Sequence, residues 1–163
     1  MFEAYLSIGG NLGDRLSNIS KCLVLIEEYI GAIRLKSSVY ETQAWGNENQ
    51  PSFLNMAVLV LTDLGPVNLL TQIHKIEKEL GRERLAHWAA RTIDIDILFF
   101  DGIIMETEEL KIPHPYIQER MFVLEPLHEI TSKYIHPILG KSVQELYTEC
   151  NDKLSVRKLN DKI

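Results

Sequence analysis

The chain has 163 residues and a formal charge of −6, with 45% hydrophobic and 25% charged residues. This describes one soluble globular domain, residues 1–163, long enough to bury a sizeable core. Mild acidity argues against a general nucleic-acid binder, no apolar run is long enough to span a bilayer, and no apolar signal core leads the chain, so a cytoplasmic monomer is expected.

Glu3 to Ile8 alternates, with Ala4, Leu6 and Ile8 on one face, and reads as a strand. Gly9-Gly10-Asn11-Leu12-Gly13-Asp14 reads as a turn into a helix with Asp14 as N-cap; it lacks the Lys-Ser/Thr ending of a phosphate-binding P-loop. The helix carries Leu16, Ile19, Leu23, Ile26 and Ile30 at helical spacing and stops at Gly31. Cys22 falls within it and is expected to be a small core residue; neither it nor Cys150 has metal-site spacing. Ile33 to Glu41 reads as a second strand, followed by a polar loop over 42–52 with a lone Trp45. Phe53 to Leu61 is nearly continuous in apolar residues, which predicts a central strand. Gly65-Pro66 opens a second helix with Leu69, Ile73, Ile76 and Leu80 as its buried stripe and Glu77 on the border.

The densest stretch chemically runs from Gly81 to Phe100. Ile93, Ile95 and Ile97 alternate with Asp94 and Asp96, so the isoleucines face a core and both aspartates share the other face of a strand. Same-face residues lie roughly 6.6 Å apart at the α-carbon, close enough to converge on one divalent cation or to hold two. Oxygen-only ligands favour Mg²⁺ over Zn²⁺. Directly upstream, Arg82, Arg84, His87 and Arg91 surround Trp88. Arginine forks match phosphate oxygens, so cations beside metal-binding carboxylates suggest a polyphosphate held from two directions. The bland alternative is an exposed loop before a strand with a polar outer face. Aspartate is a poor strand former and neighbouring like charges repel, which weighs against that alternative.

Asp101-Gly102 predicts a tight turn into a short strand, Ile103 to Met105. Beyond it come an acidic stretch, Pro113-His114-Pro115, Arg120 and an apolar run from Met121 to Leu124. The tail from Thr131 carries one helical pattern around Val143, Leu146 and Tyr147, then a polar end expected to fray. Strand, helix, strand, strand, helix, strand is the order of an α+β, ferredoxin-like βαββαβ sandwich, with both helices on one face of an antiparallel sheet and C-terminal additions. The other face must be covered by the C-terminal third or hold a ligand, and the aspartates should point that way.

The segments IGGNLGD (8–14), QPSFLN (50–55), GRER (81–84), ARTIDIDIL (90–98), IPHP (112–115) and RMFVLEPLHEI (120–130) resemble the 6-hydroxymethyl-7,8-dihydropterin pyrophosphokinase family of the folate pathway. The resemblance covers roughly residues 4 to 130 and implies the same ferredoxin-like fold. It implies transfer of a pyrophosphoryl group from ATP to the pterin hydroxymethyl oxygen, releasing AMP. By the same resemblance Asp94 and Asp96 hold two Mg²⁺ ions. Arg82, Arg84 and Arg91 contact ATP and stabilise transfer, and Trp88 closes over the site. Glu77, His114 and Arg120 lie on the nucleotide and phosphate side. Asn55 reads the pterin edge, Phe53 and Phe122 sandwich the ring, and the backbone of Thr42, Gln43, Ala44 and Trp45 completes its hydrogen bonds. No residue is an obvious strong base, which leaves Asp96 or a metal-bound water as proton acceptor.

The chain departs from the family pattern at Ala89-Ala90, where a Gly-Pro often precedes the arginine. It departs also at Glu109 and Lys111, at Pro115 where some members carry a phosphate-binding tyrosine, and at Phe53 in place of a tyrosine. Two readings compete with pyrophosphoryl transfer. One is a non-catalytic ligand-binding module on the same fold, which would not need the aspartate pair. The other is a Mg²⁺-dependent kinase releasing ADP, which needs the same cations.

Overall fold

A computed structural model describes residues 1–43, 49–81, 92–160 and 163. The first strand, β1 (Phe2–Gly10), runs two residues further than its alternation alone suggests. Gly9 and Gly10 belong to it because both keep ladder partners, Asn55 and Leu54; the turn begins only at Asn11. Helix α1 (Arg15–Tyr29) starts as expected, with the Asp14 carboxylate accepting the Ser17 N–H at 3.0 Å. It buries Ile19, Cys22, Leu23 and Ile26. Burial pushes the Cys22 thiol up to about 12, so it stays protonated and inert.

The predicted strand over 33–41 is in fact two, β2 (Gly31–Lys36) and β3 (Tyr40–Thr42). Ser37 makes the break: its N–H bonds the Ala57 carbonyl, while its hydroxyl replaces a backbone acceptor for the Ala57 N–H, both at 2.9 Å. Both short strands pair with β4 (Phe53–Thr62), which is central and almost wholly buried. Helix α2 (Pro66–Glu79) has its proline at the first helical position, where no N–H is needed. Strand β5 (Asp94–Phe100) then pairs antiparallel with β1. Asp101 and Gly102, both at positive φ, make the expected tight turn. The short strand that follows lies later than predicted: β6 (Met105–Glu106) pairs with β7 (Lys111–Ile112).

A helix over 121–131 and a strand over 156–158 were not read from the sequence, whereas the helical pattern around Val143, Leu146 and Tyr147 was. The Met121–Leu124 run opens a helix, α3 (Met121–Thr131), which a short helix, α4 (Val143–Glu149), joins behind a Ser142 capping box. The polar tail does not fray over 156–158 but forms β8 (Val156–Lys158) alongside β3.

The large sheet has the order β5-β1-β4-β3-β8, with β2 on the same edge of β4 as β3. Strands β1, β2 with β3, β4 and β5 satisfy the βαββαβ pattern: α1 and α2 cover one face and α3 with α4 the other. Ala4, Leu6 and Ile8 of β1, Leu54, Met56, Val58 and Val60 of β4, and Ile93, Ile95 and Ile97 pack beneath α1 and α2. Full burial of each large aliphatic side chain contributes about 1.5–3 kcal/mol. Leu98 sits at a register shift between β5 and β1, so it and Phe99 both join the opposite core with Tyr5, Ala57, Leu59 and Leu124. The described residues contain no helix long and apolar enough to cross a membrane.

Candidate functional site

The second face of the sheet is apolar under α3 and polar at one end. Strand alternation explains the change. Tyr5, Ala57 and Leu59 fill the covered part, and the next residues outward on the same faces are Ser7 and Gly9 of β1, Asn55 and Phe53 of β4, Tyr40 and Thr42 of β3, and Asp94 and Asp96 of β5. Register sets them in rows. Asp94, Gly9, Asn55 and Tyr40 are successive cross-strand partners; Asp96, Ser7 and Ala57 form the next row. Two interstrand spacings put the Asp94 and Asn55 backbones roughly 10 Å apart. Gly9 lies between them and contributes no side chain, so the Asn55 amide can lie directly over the β1 backbone.

Asn55 is buried, and its Nδ2 donates to Thr42 Oγ1 at 3.2 Å. A Cβ at Gly9 would lie 2.4 Å from Asn55 Oδ1; glycine is required there by close approach, not by backbone conformation. Asn11, also buried, donates from Nδ2 to the Pro51 carbonyl at 3.1 Å and to Gln50 Oε1 at 3.4 Å, anchoring the approach to Phe53. Phe53 is half-buried and Gln43 exposed.

Asp94 and Asp96 are half-buried on the open face, as their alternation with the isoleucines predicts. Glu77 does not line the surface. It is buried, and its Oε1 accepts the Ile95 N–H at 2.9 Å. β5 is the edge strand, so this carboxylate satisfies an outward-facing amide between the two aspartates.

His114 joins the same end because its N–H donates to the Leu98 carbonyl at 3.0 Å. Burial, then the Arg120 guanidinium, push the imidazole down to about 4, and the Asp94 carboxylate opposes them only in part. The ring is neutral at pH 7. Its Nδ1 accepts the Tyr116 N–H at 3.2 Å, which leaves the proton on Nε2. The Arg120 guanidinium carbon stands 5.0 Å from the Tyr116 ring centre and 5.8 Å from that of Phe122, which packs at the start of α3 against the second core.

The structure therefore brings together Thr42, Asn55, Phe53, Asp94 and Asp96 on one sheet face, with His114, Arg120 and Phe122 along one side. Glu77 stands behind β5. Ala44, Trp45, Arg82, Arg84, His87, Trp88 and Arg91 lie outside the described residues. Sequence reasoning missed Gly9 and Asn11 as site-shaping residues. The Gly-Gly-Asn run was visible, but only the pairing with β4 shows that it forms floor and not turn.

The donor set fits Mg²⁺. Among the described residues no cluster of three or more metal-ligating side chains forms. A divalent cation held by Asp94 and Asp96 would draw its remaining oxygen ligands from water and a bound ligand, the usual pattern for Mg²⁺.

The sequence model of the family described as 7,8-dihydro-6-hydroxymethylpterin-pyrophosphokinase matches residues 5–132. Over 149 residues the chain is 44% identical to a 2-amino-4-hydroxy-6-hydroxymethyldihydropteridine pyrophosphokinase of Aquifex aeolicus, covering 91% of this chain and 92% of that protein. A Bacillus subtilis protein of the same name is 46% identical over 128 residues, covering 78% of this chain and 77% of its own length. A solved Plasmodium falciparum structure titled HPPK-DHPS wild type with pteroate superposes with a TM-score of 0.71 at 20% identity, covering 91% of this chain. At that identity it supports the fold alone. The chain spans 44% of that longer protein.

Proposed function

The chain belongs to the 7,8-dihydro-6-hydroxymethylpterin-pyrophosphokinase family, and from that premise we propose that this pyrophosphokinase of folate biosynthesis uses ATP as donor and 6-hydroxymethyl-7,8-dihydropterin as acceptor. The pterin hydroxymethyl oxygen bonds to the β-phosphorus, and the bond from that phosphorus to the α–β bridging oxygen breaks. AMP leaves with the electron pair, and the hydroxyl proton passes to Asp96 or to water.

One observation carries this reading: a carboxylate pair and a buried amide stand on one floor, Asp94 and Asn55 in the same row, separated by the bare Gly9. The Asn55 side offers an amide, a hydroxyl and an aromatic ring, which suit the hydrogen-bonding edge and flat face of a pterin. The Asp94 side offers anionic oxygen ligands with a neutral imidazole and a guanidinium beside them, which suit a metal-bound polyphosphate. Two Mg²⁺ ions held through Asp94 and Asp96 would neutralise phosphate charge as it develops.

His114, neutral, offers Nε2–H to a phosphate oxygen without adding a charge. Arg120 supplies the charge, and its stacking on Tyr116 and Phe122 orients it. Phe122 and Phe53 take the two faces of the pterin, with Thr42 to Trp45 along its edge. Glu77 holds β5 in place so that both aspartates face the same way. Arg82, Arg84, Arg91 and Trp88 close on the triphosphate, a role that rests on resemblance. Such a site performs transfer by positioning and electrostatics, with no covalent intermediate. All of these groups belong to one chain, which supports action as a monomer.

Nucleotide chromatography after incubation with ATP, Mg²⁺ and the reduced pterin tests the reading. AMP formed in step with pterin consumption is expected. ADP as the product would make the protein a γ-phosphoryl kinase and overturn it.

A further inference from the structure

We infer that the C-terminal strand β8 is a positioning element for the pterin end of the site. The inference rests on the proposed function, and β8 lies beyond residues 5–132, where the family match ends.

β8 pairs with β3, so Arg157 stands opposite Glu41 and Lys158 opposite Tyr40. Consecutive strand residues point to opposite faces. The two cations consequently meet two carboxylates, one on each side of β3. On the helix side, Arg157 Nη2 is 2.6 Å from Glu41 Oε1. The other oxygen of Glu41 takes Arg15 Nη1 at 2.8 Å, and the same nitrogen donates to the Ser52 carbonyl at 2.8 Å. On the site side, Lys158 Nζ is 3.5 Å from Glu129 Oε1. The Glu129 carboxylate of α3 also accepts the Tyr40 hydroxyl at 2.5 Å, the Ser38 N–H at 3.1 Å and the Ser38 hydroxyl at 2.9 Å.

β3 is three residues long, and its end residue Thr42 accepts the hydrogen bond that orients Asn55. Without β8 it would be a bare, short sheet edge, and both carboxylates that bracket it would lose a cation. Short edges open locally at small cost in free energy. Motion there reaches Thr42, Asn55 and, through Arg15 and Ser52, the start of β4. The carboxylates of β5 lie at the opposite edge of the sheet and are insulated by two intervening strands. Arg157 is 71% exposed at the side chain, so its pair is a modest, solvent-screened lever and not a pillar of the fold.

The test compares the wild-type chain with Arg157→Gln/Lys158→Gln, measuring KM for each substrate, kcat, Tm, and pterin binding by calorimetry. The pterin KM and Kd should rise about fivefold, the scale of two partly exposed ion pairs. ATP KM and kcat should stay within about twofold on the same scale. Arg157→Lys/Lys158→Arg, which keeps both charges, should restore wild-type pterin binding. Unchanged pterin KM and Kd, or equal losses for both substrates, would overturn the inference. If the double Gln variant melts below the assay temperature, Glu41→Gln serves instead, with the same expected split and the same refuting results. A wild-type protein that binds pterin but releases no AMP would refute the proposed function, and the calorimetric comparison would still decide the role of β8.

Discussion

Gly9→Ala is the sharpest perturbation that the site geometry offers. The added Cβ would lie 2.4 Å from Asn55 Oδ1 and 3.4 Å from the Leu54 carbonyl oxygen. Ordinary contact requires the amide oxygen to retreat by roughly 1 Å, since packed atoms seldom approach more closely than van der Waals contact. Asn55 is 5% exposed and holds Thr42 at 3.2 Å, so it cannot retreat without stretching that bond or separating β1 from β4. Overpacking of this kind costs about 1–3 kcal/mol, and the lower conformational entropy of alanine than of glycine in the unfolded chain offsets about 0.4–1 kcal/mol of it. The net is about 1–2 kcal/mol, or roughly 2–8 °C in Tm for a domain of this size. Displacement of the reading amide by such a distance should raise the pterin Kd by tenfold or more, on the order of 1.4 kcal/mol, with ATP binding little changed. Thermal unfolding and calorimetry with each ligand separately provide the measurement. Gly9→Ala/Asn55→Ala should regain stability relative to Gly9→Ala, because the clash is gone. An alanine variant with wild-type Tm and wild-type pterin affinity would show that Asn55 swings aside freely and is not the group that reads the pterin.

Asp96→Asn should lower turnover by at least about tenfold, some 1.4 kcal/mol of transition-state stabilisation, while Tm holds or rises because two neighbouring carboxylates no longer repel; full turnover at saturating Mg²⁺ would remove Asp96 from the metal site. Phe122→Ala should weaken pterin binding by up to about tenfold, since an aromatic contact contributes roughly 0.5–1.5 kcal/mol beyond its area, and equal losses for pterin and ATP would make Phe122 structural. His114 titrates near 4 when folded against 6.5 in its ordinary state. As pH falls, the unfolded chain binds that proton first, so this residue's share of stability is full above about 6.5 and is lost towards about 4. Denaturant unfolding of wild type and His114→Gln across that window should show a flatter slope in the variant; identical slopes would place the imidazole in open solvent.

Much of this was legible because it is local. The isoleucines around Asp94 and Asp96 announce both the strand and which face it shows, and Asp14 and Pro66 announce helix starts through their own backbone chemistry. What was not legible depends on partners distant in sequence. Arg157 looks like tail polarity until Glu41, 116 residues earlier, is placed beside it. Gly9 and Gly10 resemble a turn until β4 supplies their ladder partners. Ser37 interrupts β2 and β3 only because its hydroxyl can take over the Ala57 N–H. The Met121–Leu124 run was too short to distinguish helix from strand by period alone, and its packing as the first turn of α3 against the sheet settles it. Glu77 sat correctly beside the apolar stripe of α2, yet only the edge position of β5 explains why a carboxylate is buried there.

Phosphorus NMR of the pterin product formed from ATP bears most directly on pyrophosphoryl transfer at the Asp94–Asn55 floor. Two mutually coupled phosphorus signals, one from the esterified phosphate and one from the terminal phosphate, should appear on the pterin as AMP accumulates. Asp96→Asn should suppress both together. A lone phosphomonoester signal, or inorganic phosphate beside unmodified pterin, would contradict the proposed transfer.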